Sequence, residues 1–321
     1  MAHPLERRWL HYAFSSERAG LSMIANLSTL TPEGDDEPQQ MNILLVYERG
    51  SGWHSSQFNA AAPPQPWSAF RLPEPAGGLT LSGRAGVPGI DFTLTRTSRP
   101  CTSQCAPFAR GQHLRWQSES GVLAEGAWTT ASGRAEAVRA VGYHERVRGR
   151  WGWPELGGWV FGFANDQSAL DEPGRPPPYA VVFTLIQPVG PPGAATGSLM
   201  LWRDGRLRRH FPRRRLSVAV QGTLDRDCVV PVPPLARLLG VGPTASVPAR
   251  LVVSAASGAD RAVLDVTART AARIVNPSET SFAPFSVHEV IGDCTVEGTL
   301  GGEAFGFATE AIVEFAGGAS A

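Results

Sequence analysis

Short apolar runs punctuated by Gly, Pro, Asn and Asp recur along almost the whole chain, and this rhythm restricts the fold to β structure. Trp9-Leu-His-Tyr-Ala-Phe, a turn at Ala19-Gly20 and Leu21 to Leu30 read as two strands of a meander. Met41 to Tyr47, a Gly50-Ser-Gly52 turn and Trp53 to Phe58 repeat the pattern. Ile90, Phe92 and Leu94 alternate with Asp91, Thr93 and Thr95, as a half-buried strand requires. A turn at 131–133 joins Val122–Trp128 to Ala135–Val141. Later come Tyr179–Gln187, Ser198–Arg203 with an Asp204-Gly205 hairpin turn, Val218–Leu224 and Ala249–Ala255. Cys294–Leu300, Gly301-Gly302 and Glu303–Phe315 form a long terminal hairpin. Phe305, Phe307, Val313 and Phe315 share one of its faces, with Glu310 and Glu314 on the other. Residues 31–40, 60–68 and 98–112 read as loops. Only Pro234-Leu-Ala-Arg-Leu-Leu-Gly240 carries a helix signal, with Pro at its first turn and Gly at its end. An all-β fold is expected.

A chain of 321 residues suits two domains or one large β fold. The polar, proline-rich stretch 167–178 reads as a linker or long loop, dividing the chain into 1–166 and 179–321. A faint internal echo favours two tandem barrels over one sandwich. Glu125-Gly126 followed by Gly142-Tyr143 and Glu145 resembles Glu297-Gly298 followed by Gly306-Phe307 and Glu310.

The candidate site lies in Gly142–Phe163, which holds three of the nine Trp. In extended geometry Tyr143, Glu145 and Val147 share one face, while His144, Arg146 and Arg148 share the other. Trp151 and Trp153 share a face, as do Trp159, Phe161 and Phe163; Trp9 and His11 do so earlier in the chain. Aromatic walls around a few polar groups are what a pocket for a large apolar ligand needs. The structural alternative is an ordinary barrel strand with aromatic packing. Glu145 and Glu289, the latter within Phe285-Ser-Val-His-Glu-Val-Ile, stand among apolar residues. Burial there would raise their pKa and suit them to general acid work, unless each is paired with one of the many arginines. Unless a bulge or a bend at Gly149 intervenes, either Glu145 or the Arg146/Arg148 pair faces a barrel interior, not both; the carboxylate is the expected one.

Several chemistries are excluded or unsupported. The 29 basic residues are all Arg, so there is no Schiff-base or P-loop lysine. No nucleophile elbow or dinucleotide fingerprint is present. The seven His are scattered, and Cys101-x-x-x-Cys105 alone is a poor zinc signal, so neither metal nor cofactor is expected. Cys101 and Cys105 either pair or stay reduced. A net charge of zero gives no electrostatic case for nucleic acid or an acidic membrane. The one basic cluster, 206–215, reads as a solvated hairpin rim. No apolar signal core or membrane span is legible, and a cytoplasmic protein, monomeric or homodimeric, is expected.

The central stretch, with its Trp159-Val-Phe-Gly-Phe-Ala continuation, resembles the carotenoid 1,2-hydratase and AttH-like superfamily. So do the Trp9-Leu-His-Tyr-Ala-Phe opening and the ending with His288-Glu289, Val296-Glu-Gly298, Gly301 and Glu310. The resemblance implies two lipocalin-like (calycin) β-barrel or β-sandwich domains in tandem around a ligand cavity. It implies activity without a redox cofactor: hydration of carotenoid double bonds, or ring closure as in the decalin-forming Diels–Alderases. Relatives often carry a His and a Trp where this chain has Arg146 and Arg148. That departure counts against the hydratase's proton chemistry and adds cations suited to a carboxylate or enolate head. The expectation is a cyclase acting on a long unsaturated polyketide-like molecule, with a terpenoid hydratase or isomerase, or a lipid or pigment carrier, as alternatives. Glu145, Glu289 and Tyr143 are the expected catalytic groups. Trp9, His11, Tyr12, His144, Arg148, Trp151, Trp153, Trp159, Phe161 and His288 are expected to line the substrate site.

Overall fold

The computed structural model describes residues 6–31, 39–61, 76–81, 89–107, 111–130, 132–151, 156–188, 195–232, 246–277 and 284–318. Among them there is no α-helix; strands dominate, with a few short 3₁₀ turns. The first sheet comprises β1 (Glu6–Ser16), β2 (Leu21–Thr31), β3 (Gln39–Glu48), β4 (Gly52–Ala61), β5 (Ala76–Leu81), β6 (Gly89–Thr95), β7 (Cys101–Pro107), β8 (His113–Thr129) and β9 (Ala135–Arg150). Its order is β4-β3-β2-β1-β9-β8-β6-β5, with β7 on β8. The second comprises β10 (Leu156–Asn165), β11 (Tyr179–Pro188), β12 (Thr196–Arg203), β13 (Arg206–Pro212), β14 (Leu216–Gln221), β15 (Val229–Val232), β16 (Arg250–Ser257), β17 (Asp260–Pro277), β18 (Pro284–Leu300) and β19 (Glu303–Gly318). Its order is β13-β12-β11-β10-β19-β18-β17-β16-β14, with β15 on β17.

Both sheets share one wiring. The first strand lies between the second and the last, β1 beside β9 and β10 beside β19, and a meander runs outward on either side. The sheets are curled and almost wholly antiparallel, two tandem lipocalin-like halves as the strand rhythm and the resemblance imply. The chain passes from one sheet to the other between β9 and β10. The polar stretch after Asn165 joins the paired strands β10 and β11.

The described residues form three apolar clusters. One lies within the first sheet around Tyr12, Phe14, Phe92 and Trp128. Another lies within the second around Phe183, Leu199, Val253 and Val296. The third is the seam where the sheets meet, uniting Ala13, Trp116, Tyr143 and Trp151 with Trp159, Phe161, Phe163 and Ile312. Because side chains alternate, each strand at the seam sends one set of residues into it and the other into its own half.

The expected Asp204-Gly205 turn is present with φ of 51° and 70°. Two successive positive φ values match the twist of the flanking strands in a two-residue hairpin. The expected loop at 98–112 is instead partly strand, since β7 pairs with β8. Its Cys-Thr-Ser-Gln-Cys sequence has no apolar alternation to announce it. Cys101 and Cys105 are free. Four residues of extended chain put them about 13 Å apart, beyond the roughly 7 Å limit for a disulfide. The strand expected at Val218–Leu224 runs over Leu216–Gln221. The helix expected at 234–240 lies outside the described residues. No helix among the described residues is long and apolar enough to cross a membrane.

Candidate active site

Strand register brings distant residues together at the seam. On β1 and β9, His11 is the cross-strand partner of Glu145. On β18 and β19, Glu289 is the partner of Glu314, which is also opposite Phe161 of β10. His11, Glu145, Glu289 and Glu314 are all buried. The arginines next to Glu145 on β9, Arg146, Arg148 and Arg150, are exposed. Among the described residues no arginine pairs with the three carboxyls, so the ion-pair alternative does not hold for them.

Two of the carboxyls, Glu145 and Glu314, accept from ring and hydroxyl donors. Trp116 Nε1 and Tyr143 Oη donate to Glu145 Oε2 at 2.7 and 2.9 Å. Trp159 Nε1 donates to Glu314 Oε1. Glu289 and Glu314 are hydrogen-bonded directly to each other. Behind Tyr143, its hydroxyl is 2.7 Å from Ser118 Oγ, which donates to Ser103 Oγ at 3.0 Å. At the seam, His11 Nε2, Glu289 Oε2 and Trp151 Nε1 are buried polar atoms with no hydrogen-bond partner among the described residues.

Burial dominates the electrostatics. It pushes Glu145 well above the ordinary carboxylate range, and the nearby Glu314 adds to this, while the Tyr143 and Trp116 hydrogen bonds pull the other way. Glu289 is also raised well above that range, by burial first and then by Glu314 and Glu145. Glu314 is raised by burial but relieved by accepting from Glu289 and Trp159. Like-charged carboxyls in one dry site cannot all ionise. The shared proton therefore rests on Glu289, with Glu314 as acceptor. Burial lowers His11 to about 4, so its imidazole is neutral near pH 7. The Tyr143 phenol is raised, mainly by burial, and stays protonated. A proton-bearing acid and an unprotonated base thus stand side by side.

His11, Glu289 and Glu314 each offer one ligand-type atom, all within 4.8 Å of one another. Such a set is wide enough to hold a divalent cation. The direct hydrogen bond between Glu289 and Glu314 closes the same set with a proton.

Aromatic rings surround these groups. Phe161 lies 5.9 Å from His11, 4.8 Å from Tyr143 and 5.7 Å from Trp116, centroid to centroid. Trp9 meets Trp151 at 5.4 Å and Trp159 at 5.7 Å.

Of the residues singled out from sequence, Glu145, Glu289, Tyr143, Trp9, His11, Trp151, Trp159 and Phe161 converge at the seam. Others do not, because alternation sends them elsewhere. His144 stacks on Tyr12, rings 4.1 Å apart, within the first sheet's half. His288 is opposite Arg273 and, by alternation, faces away from Glu289. Arg148 is exposed. Trp153 lies outside the described residues. Glu314, Trp116 and Ser118 were not singled out. Glu314 had a signal: a carboxylate in the apolar run Ala-Ile-Val-Glu-Phe, on the face opposite Phe315.

No family model and no curated protein matches the sequence. Solved structures do match the fold. An AttH-like protein from Nitrosomonas europaea aligns with a TM-score of 0.58 at 14% identity, over 98% of this chain and 93% of its own. Kievitone hydratase from Nectria haematococca aligns with a TM-score of 0.58 at 11% identity, over 96% of this chain and 88% of its own. With these two proteins the chain shares its fold, two lipocalin-like halves in tandem.

Proposed function

We propose that the seam carries out acid–base chemistry on a carbon–carbon double bond of a large, mostly apolar unsaturated molecule, adding or removing water. The observation that carries this reading is the convergence of a protonated acid, Glu289, and a neutral base, His11, in one buried site. In the forward direction Glu289 gives its proton to one alkene carbon. His11 Nε2 takes a proton from water as the water oxygen bonds to the other carbon. The imidazolium proton then returns to the Glu289–Glu314 pair, so the site ends as it began. Positive charge developing on carbon would be eased by the ionised member of the pair and by the faces of Trp159 and Phe161. The hydratase named among the fold neighbours supports the same class. No redox cofactor takes part in this reading.

The second reading is the expected ring closure. The aromatic cluster formed by Trp9, Trp151, Trp159, Phe161 and Tyr143 favours it, as a contiguous aromatic wall is a surface against which a polyunsaturated chain could fold on itself. Glu289 would then hydrogen-bond a substrate carbonyl without giving up its proton.

Turnover of polyunsaturated candidate substrates in deuterium oxide and in heavy-oxygen water separates the readings. Hydration adds one water, with deuterium on carbon and heavy oxygen in the new hydroxyl. Ring closure leaves mass and isotopes unchanged. A ligand bound and returned unaltered would make the protein a carrier and sink both.

A further inference from the structure

The acid site leaves one feature of the sequence unused, the basic cluster at 206–215. Six of its ten residues are Arg. In β13, Arg206, Leu207, Arg208, Arg209 and His210 are exposed in succession. An ordinary half-buried strand would hide every second one. The strand beside it, β12, is buried almost throughout. So β13 hangs at the end of the sheet as a ribbon with both faces open, paired on one side to β12. A 3₁₀ turn of Arg213, Arg214 and Arg215, all exposed, continues it into β14.

These charges are mostly uncompensated. Arg209 is paired with Asp260. Arg213 donates to the Leu216 carbonyl at 3.2 Å. Arg206, Arg208, Arg214 and Arg215 have no carboxylate partner among the described residues. Charged edge strands deter unwanted pairing. Here five arginines without a carboxylate partner among the described residues gather at one edge, in a chain whose net charge is zero.

Exposed apolar side chains occur within this cluster and on nearby strands of the same sheet. The large apolar side chains exposed among the described residues are Leu207 at 40%, Val220 at 57% and Val263 at 36%. Leu207 lies within the arginine ribbon. Val220 lies on β14, which follows the arginine turn, and Val263 lies on β17, two strands from β14 in the same sheet. A solvated rim would carry charge alone. Basic side chains together with protruding apolar ones suit an anionic bilayer, where the former meet lipid phosphates and the latter enter the headgroup boundary.

We infer that the β13–β14 edge is a docking surface for an anionic lipid bilayer, by which the protein rests on a membrane without spanning it. Zero net charge does not oppose this, because attraction within a Debye length depends on the local cluster. The inference is independent of the seam chemistry and is tested without any substrate.

The test is co-sedimentation of the full chain with vesicles of phosphatidylglycerol and phosphatidylcholine, against vesicles of phosphatidylcholine alone. Binding is expected to the anionic vesicles only, and to weaken as salt rises. Replacing Arg213, Arg214 and Arg215 together by Gln should weaken it at least tenfold with the melting temperature unchanged. Leu207→Ser should weaken it at low and high salt alike. If the triple variant does not fold, the salt series and the Leu207→Ser variant decide the matter. Equal binding to neutral vesicles, an undiminished folded triple variant, or no vesicle binding would overturn the inference. Retention on poly-glutamate without vesicle binding would also overturn it and point to an acidic macromolecule.

Discussion

Glu289→Gln is expected to lower turnover by about 10²–10⁴-fold, the usual contribution of a positioned general acid, while the protein stays folded. Gln matches Glu in shape and its amide can still donate to Glu314, so the hydrogen bond joining β18 to β19 survives. What the variant lacks is a proton that can leave. Ionisation of Glu289 is costly among Glu145, Glu314 and apolar walls, so removing a group that is already neutral should not weaken the fold. Rate and melting temperature measured on the same preparation check this. A folded Glu289→Gln variant with the wild-type rate would remove the acid from the reaction. Glu145→Gln is expected to lower the rate as well. It keeps an oxygen for Trp116 and Tyr143 but loses the ionisable group beside the Glu289–Glu314 pair.

Gly142→Val is expected to cost about 1–3 kcal/mol or more of stability, the range for overpacking in a dense interior. Gly142 lies on β9 opposite Phe14 of β1 and Val122 of β8. A Cβ placed there would meet the Ala13 carbonyl oxygen and would stand 2.6 Å from the Phe14 ring. The carbonyl belongs to the β1–β9 ladder and cannot rotate away without breaking it. Relief would require β1 and β9 to part, and these strands carry His11 and Glu145. A fall of several degrees or more in melting temperature is expected, together with loss of activity. An unchanged melting temperature would show that β1 does not approach β9 this closely.

The sequence made the fold class legible because nearly every strand announces itself by alternation or by a turn pair such as Asp204-Gly205. It placed Glu145 and the neighbouring arginines on opposite faces for the same reason. Alternation names two faces but not which of them meets the other sheet. Tyr12, His144 and His288 were therefore grouped with residues that point the opposite way. The cluster itself depends on pairing between positions as distant as 11, 145, 289 and 314, and no local pattern encodes that. β7 escaped notice because its residues are polar or small, and Glu314, though placed on its face, was not joined to Glu289 because the two lie on different strands of a long hairpin.

The most direct test of the seam as a proton-handling site is the infrared absorption of the resting protein at pH 7. A carboxyl whose pKa is raised keeps its proton as pH climbs past the ordinary carboxylate range near 4.3 and releases it only at the higher, folded-state value. The account predicts a carbonyl band from protonated carboxylic acid at pH 7, shifted in deuterium oxide and diminished in Glu289→Gln by the share that Glu289 contributes. A spectrum with every carboxyl ionised at that pH, or an acid band that survives unchanged in Glu289→Gln, would contradict it.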